Sequence, residues 1–265
     1  MADGSKFIAR GATGYDRFMG RWSRRLAPPF LDFAGLSAGE RVIDVGCGTG
    51  NLAVALQATG LPGSIDAVDY DEGFVAAARE RLPALASRIV KGDACALTYP
   101  DDAFDRALSM LVLHFVVDPA RAAAELGRIL RPGGIAAACV WDAFAGLSPI
   151  RMFWDVIAAI EPAATGRRAD QAFRQVSAPG DLATLFTTAG FTNVTETMLT
   201  IRMEFADFED YWEPMMTGQG TLDDFVKAHG ETRLKCAVRE AYLSGAPDGP
   251  RSFPATALAV RGQAQ

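Results

Sequence analysis

Cysteine is scarce in this chain of 265 residues, and histidine scarcer still. Cys47, Cys95, Cys139 and Cys236 are scattered, with no C-x-x-C pair among them. That spacing excludes a disulfide framework and a zinc site, so no metal is expected. It reads as the reduced thiols of a cytoplasmic protein. Long apolar runs are missing too. The longest, near residues 108–117 and 135–141, fall short of the roughly 18 residues a membrane span needs. Residues 1–10 are polar and charged, with no apolar signal core. Basic charge is the minority: 26 Lys plus Arg face 32 Asp plus Glu, a net charge of −6. That balance tilts against nucleic acid as a partner, because such binding rests on neutralising phosphates.

What is present is ordinary for a globular protein: 49% apolar and 22% charged residues. The length suits one large domain, or a domain with a cap. From Glu40 a strand–helix alternation begins. Strands are expected at 41–45, 65–68, 89–90, 104–110 and 135–141. Helices are expected at 51–59, ended by Gly60, and from Asp71, with Phe74, Ala78 and Leu82 on the buried face. Another starts at Asp118-Pro119 and is expected to stop at Pro132-Gly133-Gly134. Continuous apolar strands alternating with helices point to an α/β parallel sheet covered on both faces. Ahead of it, residues 1–36 read as a helical cap segment, broken early by Gly11, Gly14 and Gly20. The main domain is placed at 37–265. It holds a helix around Leu182–Ala189 and strands at 194–205 and 255–260. Helical excursions at about 145–177 and 206–249 complete the cap.

The most informative stretch is Asp44-Val45-Gly46-Cys47-Gly48-Thr49-Gly50, which leaves a strand and opens a helix. Alternate glycines let the backbone approach a ligand, and a helix start offers free N–H groups. Asp69, ending the second strand, suits the paired hydroxyls of a ribose. A dinucleotide fingerprint wants a third small residue where Asn51 stands. Asp44 would repel a pyrophosphate, whereas a cationic ammonium or sulfonium would tolerate it. The charge logic favours an adenosyl ligand carrying an amino acid. An NAD-dependent oxidoreductase and a non-catalytic adenosyl-ligand binder stay as alternatives.

These residues resemble motif I of the class I S-adenosylmethionine-dependent methyltransferases. The likeness continues through Val68-Asp69-Tyr70, Gly92-Asp93-Ala94, the strand Phe104 to Met110, and Arg128-Ile129-Leu130-Arg131-Pro132-Gly133-Gly134. The start and the helical excursions look like the small-molecule, ubiquinone/menaquinone-biosynthesis-like (methyltransferase type 11) group. The resemblance implies a Rossmann-like, seven-stranded, mostly parallel sheet of order 3-2-1-4-5-7-6 with a helical cap. It implies S-adenosyl-L-methionine as cofactor and S-adenosyl-L-homocysteine as product. Gly46, Gly48 and Gly50 would approach the methionine part and ribose, with Cys47 packed among them. Asp44 would hold the ammonium and Asp69 the ribose. Tyr70 would lie on the adenine, and Asp93 and Ala94 would meet its edge. Ser109, Met110 and Leu111 would line the site.

Methyl transfer from a sulfonium needs orientation more than a catalytic dyad. Where the acceptor has a proton to lose, His114, just past the fourth strand, is the candidate base. Aromatics outside the sheet (Tyr15, Phe18, Trp22, Phe144, Phe153, Trp154, Phe173, Phe205, Phe208, Tyr211 and Trp212) predict an apolar cap pocket. That pocket would take a small-molecule acceptor, with Tyr15 and Trp22 closing over it. Gly35-Leu36-Ser37-Ala38-Gly39 matches a hydrolase elbow in letters only, since a helix precedes it and a strand follows.

Overall fold

The protein is described by a computed structural model covering residues 11–172, 174–218 and 220–265. Residues 1–10 and Phe173, which figure in the sequence reading, lie outside the described residues. The chain opens with α1 (Ala12–Tyr15), a π turn (Asp16–Gly20) and α2 (Arg21–Ala34). Next come β1 (Arg41–Val45), α3 (Asn51–Thr59), β2 (Ser64–Asp69), α4 (Glu72–Arg81), β3 (Ile89–Lys91), β4 (Phe104–Met110), α5 (Pro119–Arg128) and β5 (Leu130–Trp141). The rest is α6 (Ser148–Ile160), α7 (Ala164–Ala172), α8 (Asp181–Thr188), β6 (Thr192–Phe205), α9 (Phe208–Gly218), α10 (Gly220–Ala228), α11 (Glu231–Leu243) and β7 (Arg251–Gln263).

The strands form one sheet of order β3-β2-β1-β4-β5-β7-β6. β1 to β5 run parallel, and β7 runs antiparallel between β5 and β6. This is the expected Rossmann-like order. Local chemistry explains the starts of two helices. Asp71 accepts from the Phe74 N–H at 2.9 Å, and Asp118 accepts from the Arg121 N–H at 3.0 Å with Pro119 behind it. Successive residues of β5 split between two cores. Ala137, Cys139 and Trp141 face the α2, α3 and cap side, while Ala136, Ala138 and Val140 face α5 and α8.

Three expectations need correction. Helix α5 stops at Arg128, not at Pro132-Gly133-Gly134, and β5 begins at Leu130. Leu130 pairs with Phe104 and Ile135 with Arg106, so Arg131–Gly134 bulge out opposite Asp105 alone. The last strand spans 251–263, well beyond 255–260. Pro254 fits inside the strand because β5 pairing ends at Ala257, so the missing proline N–H faces no β5 partner. Gly14 and Gly20 do not break the N-terminal segment; both lie inside helical turns.

Arg106 ties the sheet to the N-terminal helix. Only 4% exposed, it forks onto Glu40 (Nε to Oε2 2.7 Å, Nη2 to Oε1 2.8 Å) and donates to the Ala34 carbonyl. Burial raises the Glu40 carboxyl, but the Arg106 fork outweighs it and holds the group below its usual value. Glu40→Ala leaves a buried guanidinium unanswered and is expected to cost about 3–5 kcal/mol in urea unfolding. An unchanged midpoint would contradict this role.

Candidate functional site

The site sits at the C-terminal ends of the parallel strands, where β1 and β4 part toward opposite neighbours. The loop from β1 to α3 is shaped by glycine. Gly46, Gly48 and Gly50 all have positive φ. A Cβ on Gly46 would lie 2.3 Å from a Val112 methyl, so the backbone itself packs there. The loop hangs on β2. Gly46 and Cys47 N–H groups donate to the Val68 carbonyl at 2.7 and 3.0 Å, and Gly48 N–H donates to Asp69 Oδ2 at 2.8 Å. Asp69 Oδ1 accepts from the Asp71 N–H at 2.9 Å. Both Asp69 oxygens thus accept from the backbone and keep lone-pair capacity for a ligand hydroxyl.

A cavity of about 230 Å³ opens over this loop. Gly46, Gly48, Asp69, Tyr70, Asp93, Ala94, Met110 and Leu111 all line it. Asp93 Oδ1 accepts from the Cys95 N–H at 2.8 Å. A smaller recess continues inward past Asp44, Cys47 and Thr49, and shares Tyr15, Gly46, Gly48 and Met110 with the first cavity. Asp44 is 1% exposed, and neither carboxylate oxygen has a hydrogen-bond partner. Burial, with the Asp69 charge adding and the nearby Ala53 N–H opposing, pushes its pKa up to about 8. An orphaned buried carboxyl beside a glycine cradle fits a ligand that brings an ammonium group. Burial also raises the Cys47 thiol, with Asp44 and Asp69 adding to it, so Cys47 packs as a neutral group.

A second cavity, about 260 Å³, lies under the cap. Its wall is largely apolar: Phe18, Met19, Trp141, Leu147, Ile150 and Trp154 contribute. Tyr15, Leu111 and Phe115 line both of these cavities and form their common wall. Leu111 has φ +66, a left-handed conformation rare for a leucine, and its N–H is held by the Cys139 carbonyl at 2.7 Å. Burial raises the Tyr15 phenol, with Asp69 and Asp16 adding, so it stays protonated at neutral pH. The turn carrying Tyr15 is clasped to the loop. Asp16 accepts from Thr49 Oγ1 at 2.6 Å and pairs with Arg81, which also donates to Asn51 Oδ1 at 2.8 Å.

Not every expected residue joins these walls. Gly50 caps α3 and packs on Ala78 and Leu82. Ser109 is fully buried and lines no described cavity. Alternation along β4 puts it on the face of Ala107, opposite Met110. Trp22 does not close the site. Its ring is 4% exposed, packed edge-on at 5.2 Å against Phe205 with the Arg21 guanidinium over it. His114 does line the cap cavity, but not as an ordinary imidazole. Burial, helped by the Arg174 charge, pushes its pKa down to about 3, so it is neutral and a weak base. Sequence reasoning missed Phe115 and Arg174. Phe115 directly follows His114 in sequence, but Arg174 lies on a distant excursion with no spacing signal.

The methyltransferase-domain family profile matches residues 43–138. Residues 43–138 thus carry a methyltransferase domain. A demethylmenaquinone methyltransferase of Clavibacter sepedonicus is 39% identical over 104 residues, covering 38% of this chain and 41% of that protein. The chain thus spans less than half the length of the curated relatives it matches. Among solved structures, phosphoethanolamine N-methyltransferase 2 of Haemonchus contortus, in complex with S-adenosyl-L-methionine, superposes with TM-score 0.58 at 15% identity. The match covers 96% of this chain and 57% of that one. The cyclase SpnF superposes with TM-score 0.55 at 24% identity, covering 91% and 81%. Both share the fold.

Asp44 supplies a signed test. In the free protein its carboxyl is mostly protonated at pH 7, and a bound ammonium favours the ionised form. Binding of S-adenosylhomocysteine at pH 7 should release close to one proton, and affinity should rise about tenfold per pH unit up to about pH 8. Calorimetry in buffers of different ionisation enthalpy reads this directly. Asp44→Asn should abolish the release; a pH-independent affinity in the unsubstituted protein would contradict it.

Proposed function

We propose that this protein transfers a methyl group from S-adenosylmethionine to a small, largely apolar organic acceptor held in the cap cavity. The observation that carries the reading is the common wall of Tyr15, Leu111 and Phe115. The loop cavity and the cap cavity meet there and nowhere else along their described linings. In this reading Asp69 binds the ribose hydroxyls and Tyr70 covers the adenine. Asp93 and Ala94 meet the adenine edge, and Asp44 holds the ammonium. The bound cofactor supplies an activated methyl group on a sulfonium.

The chain's own work is positioning and exclusion of water. The glycine loop fixes one reactant, and the cap walls fix the other. Burial keeps Tyr15 protonated, and the residue stands at the meeting point of the two cavities. His114, neutral, can accept a hydrogen bond from an acceptor hydroxyl. The relatives' name supports a quinone-like acceptor. A cytoplasmic setting, and an acceptor other than nucleic acid, belong to the same proposal, supported by four free cysteines and the net charge of −6. Among the described residues no helix is long and apolar enough to cross a membrane.

Isothermal titration tests the cofactor half. S-adenosylhomocysteine should saturate the protein at submillimolar concentration while NAD does not. Asp69→Ala should weaken it roughly 10- to 100-fold, the worth of a hydrogen bond to a charged group. Saturation by NAD, or an unchanged affinity in Asp69→Ala, would overturn the assignment.

A further inference from the structure

Asn51 stands where a dinucleotide fingerprint calls for a small residue, and its amide has a task of its own. The residue is 6% exposed. Its Oδ1 accepts from Arg81 Nη1 at 2.8 Å, and its Nδ2 donates to Ser23 Oγ at 2.9 Å. Ser23 Oγ in turn donates to the Gly20 carbonyl at 3.0 Å. Arg81 Nη1 also donates to the Thr49 carbonyl at 3.0 Å. Arg81 pairs with one oxygen of Asp16, and the other oxygen accepts from Thr49 Oγ1 at 2.6 Å. One circuit of polar groups therefore joins the π turn, α2, the glycine loop, the start of α3 and the end of α4. Gly20 makes room for it. Its backbone is helical, with φ −60, where alanine is ordinarily the better residue. A Cβ there would overlap Asp16 Oδ1, the atom that meets Thr49.

What the circuit holds is Tyr15. Among the described residues, Tyr15 alone lines the loop cavity, the Asp44 recess and the cap cavity. Its ring lies 5.2 Å from that of Phe74, another wall of the loop cavity. Apolar burial tethers this stretch poorly: α1 has no buried residue, and the π turn buries only Phe18 and Gly20. Ala12, Thr13, Asp16 and Arg17 border a groove of about 700 Å³, so the turn has room beside it. A segment with little buried surface opens at low cost unless polar contacts hold it.

We propose that Asp16 and Arg81 are positioning residues: their clasp holds Tyr15 as a flap over the adenosyl cavity, and its opening sets the pace at which S-adenosylmethionine enters and S-adenosylhomocysteine leaves. The inference rests on reading the loop cavity as the cofactor site. Neither residue lines that cavity, so both act through Tyr15 and the glycine loop. Charge-assisted hydrogen bonds supply the hold. Flaps and lids of this kind commonly control ligand passage in enzymes. A clasp that is the same with and without ligand slows entry and exit by one factor, and leaves affinity nearly unchanged.

Surface plasmon resonance on the immobilised full chain reads both rate constants for S-adenosylhomocysteine. Asp16→Asn and Arg81→Gln should each raise association and dissociation about tenfold, the low end for a hydrogen bond to a charged group, with Kd within about threefold. Gly20→Ala removes no polar group but displaces the Asp16 carboxylate, and should give the same signature. Combined with Asp16→Asn, it should go no faster than either change alone. The retained affinity also shows that the variants fold. Unchanged rates, a rise in dissociation alone, loss of binding in the variants, or additive effects in the double variant would each overturn the proposal and leave the cofactor reading standing. Failure of the unsubstituted protein to bind S-adenosylhomocysteine would overturn the cofactor reading, and the flap with it.

Discussion

The hydrogen bond from Gly48 N–H to Asp69 Oδ2, 2.8 Å long, joins the two strand ends on which the site is built. A loop made of alternate positive-φ glycines has little side chain with which to hold its own shape. It is held from outside, by Val68 and Asp69 at the end of β2. Parallel pairing of β1 with β2 brings those ends together, Val45 against Val68. Asp44, one residue before, is thereby carried into the recess at the start of α3, where burial raises its pKa to about 8. The same Asp69 carboxylate that shapes the loop also lines the cavity above it.

The cap completes what the sheet leaves open. The N-terminal turn brings Tyr15 over the loop, and the Asp16–Thr49–Arg81 clasp fixes that turn to the start of α3 and the end of α4. The excursions after β5 and β6 add the apolar wall. Phe153, Trp154, Phe208, Tyr211 and Trp212 pack into one aromatic core behind it. The result is two cavities with one shared wall of Tyr15, Leu111 and Phe115.

Much of this was legible in the linear chain. Strand and helix positions from 41 to 128 followed from apolar runs, Asp caps and the glycine loop. The sheet order followed from resemblance, not from periodicity. The misreadings share physical causes. A Pro-Gly-Gly triplet signals a helix stop and a bulged strand start in the same letters, and only the pairing with Phe104 and Arg106 separates them. Ser109 stands in the right strand on the wrong face. Trp22 is drawn inward by Phe205, a residue 183 positions away in the sequence. The pKa of His114 is lowered by burial first and then by Arg174, and no local pattern announces either.

A crystal structure of the protein with S-adenosylhomocysteine tests the central claim most directly. The account predicts ribose hydroxyls on Asp69, the amino group at Asp44, and the sulfur at the wall formed by Tyr15, Leu111 and Phe115. An adenosyl group bound elsewhere, or a sulfur directed away from the cap cavity, would contradict it.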